Sequence, residues 1–126
     1  MNAVFVVVPG ASLEAIASFM RRASLSVVEL EGERLLVSDD SAHLYLFFEN
    51  DLAQVPVYFR DLMEDSEAPD PVLVIEYSAL SLLQNALTAL HGRGDGVIDN
   101  DHGTVMSLGE FLIKLRAEPD WDWRLR

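Results

Sequence analysis

The chain reads as an α+β protein, a single domain over residues 1–126 with a mixed or mainly antiparallel sheet and three to four helices. Three observations predict this. Short β-branched and aromatic runs crowd the first half, two of them joined by a tight Gly-centred turn. Runs with apolar residues at helical spacing are interspersed among them. No repeat, low-complexity tract or long linker interrupts the 126 residues, an ordinary length for one domain.

Val4 to Val8 is an unbroken β-branched and aromatic run, as expected of a central strand covered on both faces. Pro9-Gly10 turns the chain, and Ser12 can cap a helix carrying Leu13, Ile16, Ala17 and Met20 on one side. Arg21 and Arg22 fall in its last turn, where cations complement the helix dipole. Leu25–Leu30 and Arg34–Ser38 read as strands around Glu31-Gly32-Glu33, and His43–Glu49 as a third, with Leu44, Leu46 and Phe48 opposite Tyr45 and Phe47. Together they predict an antiparallel meander. Pro56 suits the start of a helix carrying Phe59, Leu62 and Met63. Residues from Glu64 to Pro71 read as an exposed acidic loop, followed by a buried strand from Val72 to Tyr77. Leu80, Leu83, Leu87 and Leu90 mark the next helix, with Gly92 as its stop. Gly96–Asp99 and Thr104–Met106 flank a hairpin turn with Gly103 at a position wanting positive φ. Ser107 and Glu110 form a capping box for a last helix lined by Leu108, Phe111, Leu112 and Leu115, which Pro119 ends.

Charge narrows the function. There are 21 acids and 9 bases, a formal net charge of −12. This disfavours nucleic acid and anionic membrane as partners, because both demand a basic footprint. Residues 29–101 hold 16 acids against Arg34, Arg60 and Arg93, a balance of −13. Such a surface can simply keep a protein soluble. It can also dock a cationic protein, raising association rates and excluding wrong partners. The expected face residues are Asp39, Asp40, Glu64, Asp65, Glu67 and Asp70, all in turns or loops. There is no cysteine, and so no disulfide, thiolate nucleophile or thiolate-held metal. The apolar N-terminal run has no preceding cation and stops at Pro9, so neither a secretory leader nor a membrane span is expected; the expectation is a cytoplasmic protein.

Catalytic patterns are weak. Asp99, Asn100, Asp101 and Glu110 have the outline of a calcium loop, but Gly103 and Thr104 stand where an oxygen ligand and a Gly are required. His43, His91 and His102 show no ligand spacing. Asp39, Ser41 and His43 lack a nucleophile elbow, and Asp39-Asp40 lacks the basic partner of a phospho-accepting site, Lys114 being the sole lysine. No metal or cofactor is expected. Trp121-Asp122-Trp123 places two indoles on one side of an extended chain, either anchoring the tail on the core or forming a partner hot spot. Asp99, Asp101, Trp121 and Trp123 are therefore candidate partner-binding or structural residues.

The segments Val97-Ile98-Asp99-Asn100-Asp101-His102-Gly103, Gly109-Glu110-Phe111 and Pro119-Asp120-Trp121-Asp122-Trp123-Arg124 resemble the C-terminal stretches of small bacterial toxin-immunity proteins. The resemblance covers the last third of the chain. It implies a non-enzymatic cytosolic antitoxin that blocks a cognate toxin. The alternatives are a small metal-dependent hydrolase using clustered Asp residues, or a homodimeric interaction subunit; the chain is expected as a monomer or homodimer.

Overall fold

The computed structural model describes residues 2–10, 12–65, 70–92, 94, 96–100 and 105–118. Seven strands and four α-helices alternate as β1 (Asn2–Val7), α1 (Leu13–Arg22), β2 (Ser26–Leu30), β3 (Arg34–Ser38), β4 (His43–Glu49), α2 (Val57–Asp65), β5 (Val72–Tyr77), α3 (Leu80–His91), β6 (Val97–Asp99), β7 (Val105–Ser107) and α4 (Leu108–Ala117). A 3-10 turn, Leu52–Gln54, precedes α2.

The strands form one sheet in the order β2-β3-β4-β5-β1-β6-β7, and every neighbouring pair is antiparallel. This is an α+β fold. The expected meander is β2-β3-β4, in register Val28↔Leu36 and Leu36↔Tyr45. The first strand is inserted between β5 and β6, which explains its continuous apolar run. Val4 and Val6 pack into one core cluster and Phe5 into a second.

Those clusters lie on opposite faces of the sheet. The larger joins Leu35, Val37, Leu44, Leu46 and Ile75 to α1, α3 and α4. The smaller joins Phe5, Val72 and Val74 to Val55 and Phe59, so α2 covers the other face. On that second face Val28, toward the β2 border, is 51% exposed.

Local chemistry sets the element ends. Ser12 Oγ accepts from the amide of Ala15 and caps α1. Ser107 Oγ accepts from the amide of Glu110 and caps α4. The Leu25 amide donates to Met20 O and the Ser24 amide to Arg21 O, a Schellman turn closing α1 with Ser24 at φ +64°. The β2–β3 turn uses positive φ at Gly32 (+76°) and, beside it, at Glu33 (+59°).

Three expectations are corrected. Glu64 and Asp65 belong to the last turn of α2 rather than to a loop, because Glu supports helix and the preceding apolar spacing carries through. The buried stripe of α3 runs through Leu82, Leu83, Ala86, Leu87 and Leu90, while Leu80 is exposed. Gly92 does cap α3 as expected, in right-handed geometry, φ −62°. Leu25 precedes β2 and serves the Schellman turn, its side chain in the core. The turn at Gly103 and the stop at Pro119 lie outside the described residues.

Candidate functional site

An antiparallel sheet gathers alternate connections at the same end. The register places the β2–β3 turn, the exit of β4 and the entry to β5 together, through the pairs Leu30↔Arg34, Arg34↔Phe47 and Glu49↔Val72. Val6↔Leu73 brings the end of β1, and with it the start of α1, to the same place. These connections carry Glu31, Glu33, Glu49, Asp51, Asp70 and Glu14, so the acids of several distant segments converge on one end of the molecule.

Within that end an open groove of about 340 Å³ separates the N-terminus of α1 from the β2–β3 hairpin. Leu13, Leu30 and Leu35 give it an apolar lining, and Glu14, Glu29 and Glu33 give it three carboxylates. None of the three has an ion pair among the described residues. Arg34 also borders the groove, but its guanidinium is engaged on the α2 side of the sheet. It stands 3.6 Å from Glu76 Oε1 and stacks over the rings of Tyr45 and Phe47, at 5.1 and 5.3 Å. The cation nearest the groove is thus held by other partners. The arrangement suits a guest with an apolar body and positive charges.

The residues expected to form the docking face are divided. Asp70 lies exposed at the acidic end, its Oδ1 accepting from the amide of Gly10 at 3.2 Å. Glu64 is exposed on α2, with Asp65 next to it in the chain. Asp39 and Asp40 occupy the β3–β4 turn at the opposite end, separated by the length of β4, roughly 20 Å. Asp39 is also committed locally. Its Oδ1 accepts from the amides of Ser41 (2.8 Å) and Ala42 (2.9 Å) and from Ser41 Oγ (3.2 Å). The Ser41 amide, then that of Ala42, hold the Asp39 carboxyl below the usual carboxylate range. Asp99 is buried in β6, opposite Phe5 and Val105, with Asn100 buried after it. Glu67, Asp101, Trp121 and Trp123 lie outside the described residues.

Other chemistry gains little. Ser41 donates to Asp39 rather than to an imidazole, and the His43 ring meets Tyr45 edge-on at 5.6 Å. Among the described residues no three His, Asp or Glu side chains gather as a metal-ligand set. Nor is any described helix long and apolar enough to cross a membrane.

Neither a known protein family, nor a curated protein, nor a solved structure matches the chain.

Glu14, Glu29 and Glu33 were not singled out by the sequence. Their shared signal is weak. Glu29, Glu31 and Glu33 flank a visible hairpin turn, but Glu14 joins them only because α1 packs back over β2 and β3.

Proposed function

We propose that the chain is a non-enzymatic acidic binding protein that covers a basic surface on a protein partner, in the manner of an immunity protein neutralising a cognate bacterial toxin in the cytoplasm. The observation carrying this reading is the groove edged by Glu14, Glu29 and Glu33, which has an apolar lining and no ion pair to those carboxylates among the described residues. Acids from two other segments, Glu49 with Asp51 at the exit of β4 and Asp70 before β5, lie at the same end of the sheet. Unpaired like charges held together cost stability through mutual repulsion, and a cationic partner relieves that cost. The acids would mimic phosphates and steer the encounter; a nuclease surface is one such target. The C-terminal resemblance to toxin-immunity proteins points the same way.

The test is co-expression with the product of the adjacent reading frame in the source genome. Rescue of growth from a toxic product, with association slowing at least tenfold between about 50 and 500 mM salt, is the expected result. Glu14→Lys combined with Glu33→Lys should slow association at least tenfold as well. Binding that ignores both salt and the double variant would overturn the reading.

A further inference from the structure

The border strand β2 carries a second surface, which shares Glu29 with the groove but uses the strand's backbone edge. It pairs with β3 on one side. Arg21, from the last turn of α1, donates through Nη2 to the carbonyl of Val27 at 3.4 Å. The ladder orients the strand: the Asp39 amide pairs with the Ala42 carbonyl toward β4, so Ser38 faces β2 and pairs with Ser26, and the Val27 carbonyl points away from β3. In an antiparallel ladder the direction alternates along the strand, so Val27 and Glu29 present their backbone groups outward, while Ser26, Val28 and Leu30 pair with β3. Arg21 therefore covers part of an edge that no other described strand pairs, a common protection against unwanted pairing. The apolar side chain at the centre of that edge, Val28, is 51% exposed.

The geometry points to a second copy of this chain as the occupant of this edge, with the two β2 strands pairing antiparallel about a twofold axis at Val28. The register is self-consistent. The outward-facing Val27 pairs with Glu29 of the second copy, and Glu29 with its Val27. Val28 meets Val28 as a non-hydrogen-bonded pair, with Cα atoms about 4.5 Å apart. Charge complementarity selects this occupant. Glu29 lies on the same sheet face as Val27, whose side chain packs toward the helices. Glu29 of the second copy therefore arrives beside Arg21, which exchanges the Val27 carbonyl for a carboxylate, while the Val27 carbonyl accepts the incoming amide. The twofold makes this exchange twice. It also sets the acidic end of each copy, with Glu31 and Glu33, beside the Arg21-Arg22 end of the other rather than against its like. The pairing does not rest on the cationic partner proposed above and is tested without it.

The chain has no cysteine, so Val28→Cys introduces a single thiol. Under mild oxidation at micromolar protein, Val28→Cys should form a disulfide-linked dimer at least tenfold faster than Ile113→Cys, a control on α4 that is 66% exposed. Sedimentation equilibrium of the unmodified protein should show a reversible dimer at about 150 mM salt, where the repulsion between two net-negative molecules is screened. Arg21→Glu should weaken that dimer at least tenfold, and Arg21→Glu with Glu29→Arg should restore it. A monomer up to about 500 µM, a Val28→Cys rate equal to the control, or a dimer indifferent to Arg21→Glu would each overturn the pairing; the cysteine comparison holds even where the Arg21 variants misfold.

Discussion

Gly96 runs against the backbone of Val7 so closely that no side chain fits between them. A Cβ built on Gly96 overlaps the Val7 carbonyl oxygen and stands 3.2 Å from its carbonyl carbon. The same residue accepts the Leu108 amide at 2.8 Å, so it joins the entry of β6 to the start of α4. This close approach pins the β6–β7 pair onto β1.

Gly96→Ala is accordingly expected to destabilise the fold by about 1–3 kcal/mol, the usual range for forcing atoms into a packed site. The obstruction is backbone, which cannot swing aside as a flexible side chain does. Urea denaturation of the two proteins measures the difference. A midpoint within error of the unsubstituted protein would show that β6 can move away from β1 at no cost.

The face opposite the main helices depends on α2. Phe59 is fully buried there with Phe5, Val72 and Val74. Phe59→Ala should cost about 3–5 kcal/mol. Ile113→Ala, on the exposed side of α4, should stay within about 0.5 kcal/mol. Equal effects at both positions would mean that α2 contributes no core of its own.

How much of this was legible in the sequence differs by residue. The strands Arg34–Ser38, His43–Glu49 and Val72–Tyr77 were readable to the residue, since alternation and turn residues bound them. The unbroken run at Val4 correctly implied a strand with neighbours on both sides. Its actual neighbours, β5 and β6, were not readable, because pairing across more than 60 residues leaves no local trace. In α3 the leucines fit two helical stripes almost equally well, and only packing shows that Leu82 and Ala86 are inside and Leu80 outside. The site behaved similarly. Excess acid in the middle of the chain was plain, and Asp39 was correctly placed in a turn. That its carboxylate is occupied by the amides of Ser41 and Ala42 is a property of that turn, and that Glu14 faces Glu29 and Glu33 is a property of tertiary structure.

Ser24 holds a left-handed conformation, φ +64°, at the position after the α1 cap where glycine is most at ease. A side chain there costs roughly 1–2 kcal/mol, partly offset by the greater chain freedom that glycine brings to the unfolded state. Ser24→Gly should therefore raise stability by up to about 1 kcal/mol without altering the Schellman hydrogen bonds. Thermal melts compare the pair; a lower midpoint for the glycine variant would show that the serine side chain contributes to the turn.

Asp39 gives a pH signature whose sign follows from its partners. The amide donors hold the folded carboxyl below its ordinary value of 3.8, so its contribution is fully present above that value and is lost as pH falls through the lower folded value. Asp39→Ala should therefore melt below the unsubstituted protein at pH 7. The gap should close progressively below pH 3.8. A gap that persists unchanged to pH 2 would mean that the turn depends on the side chain's shape rather than on its charge.

The groove acids make a prediction that needs no partner. Glu29 and Glu33 border the same opening, and no ion pair to either exists among the described residues. If the residues were there to stabilise the fold, neutralising them would weaken it. Their arrangement predicts the opposite: in dilute, monomeric protein, where no Arg21 of a second copy stands beside Glu29, Glu29→Gln with Glu33→Gln should leave the melting temperature unchanged or raise it, with the gain largest at low salt, where repulsion is least screened. Glu14 is left in place because a carboxylate in the first turn of α1 is favoured by the helix dipole and would confuse the comparison. Melts at about 10 and 200 mM salt separate the two cases. A double variant that is less stable at both salt concentrations would make these carboxylates part of the scaffold and would remove the energetic reason for reading them as a surface kept ready for a cation.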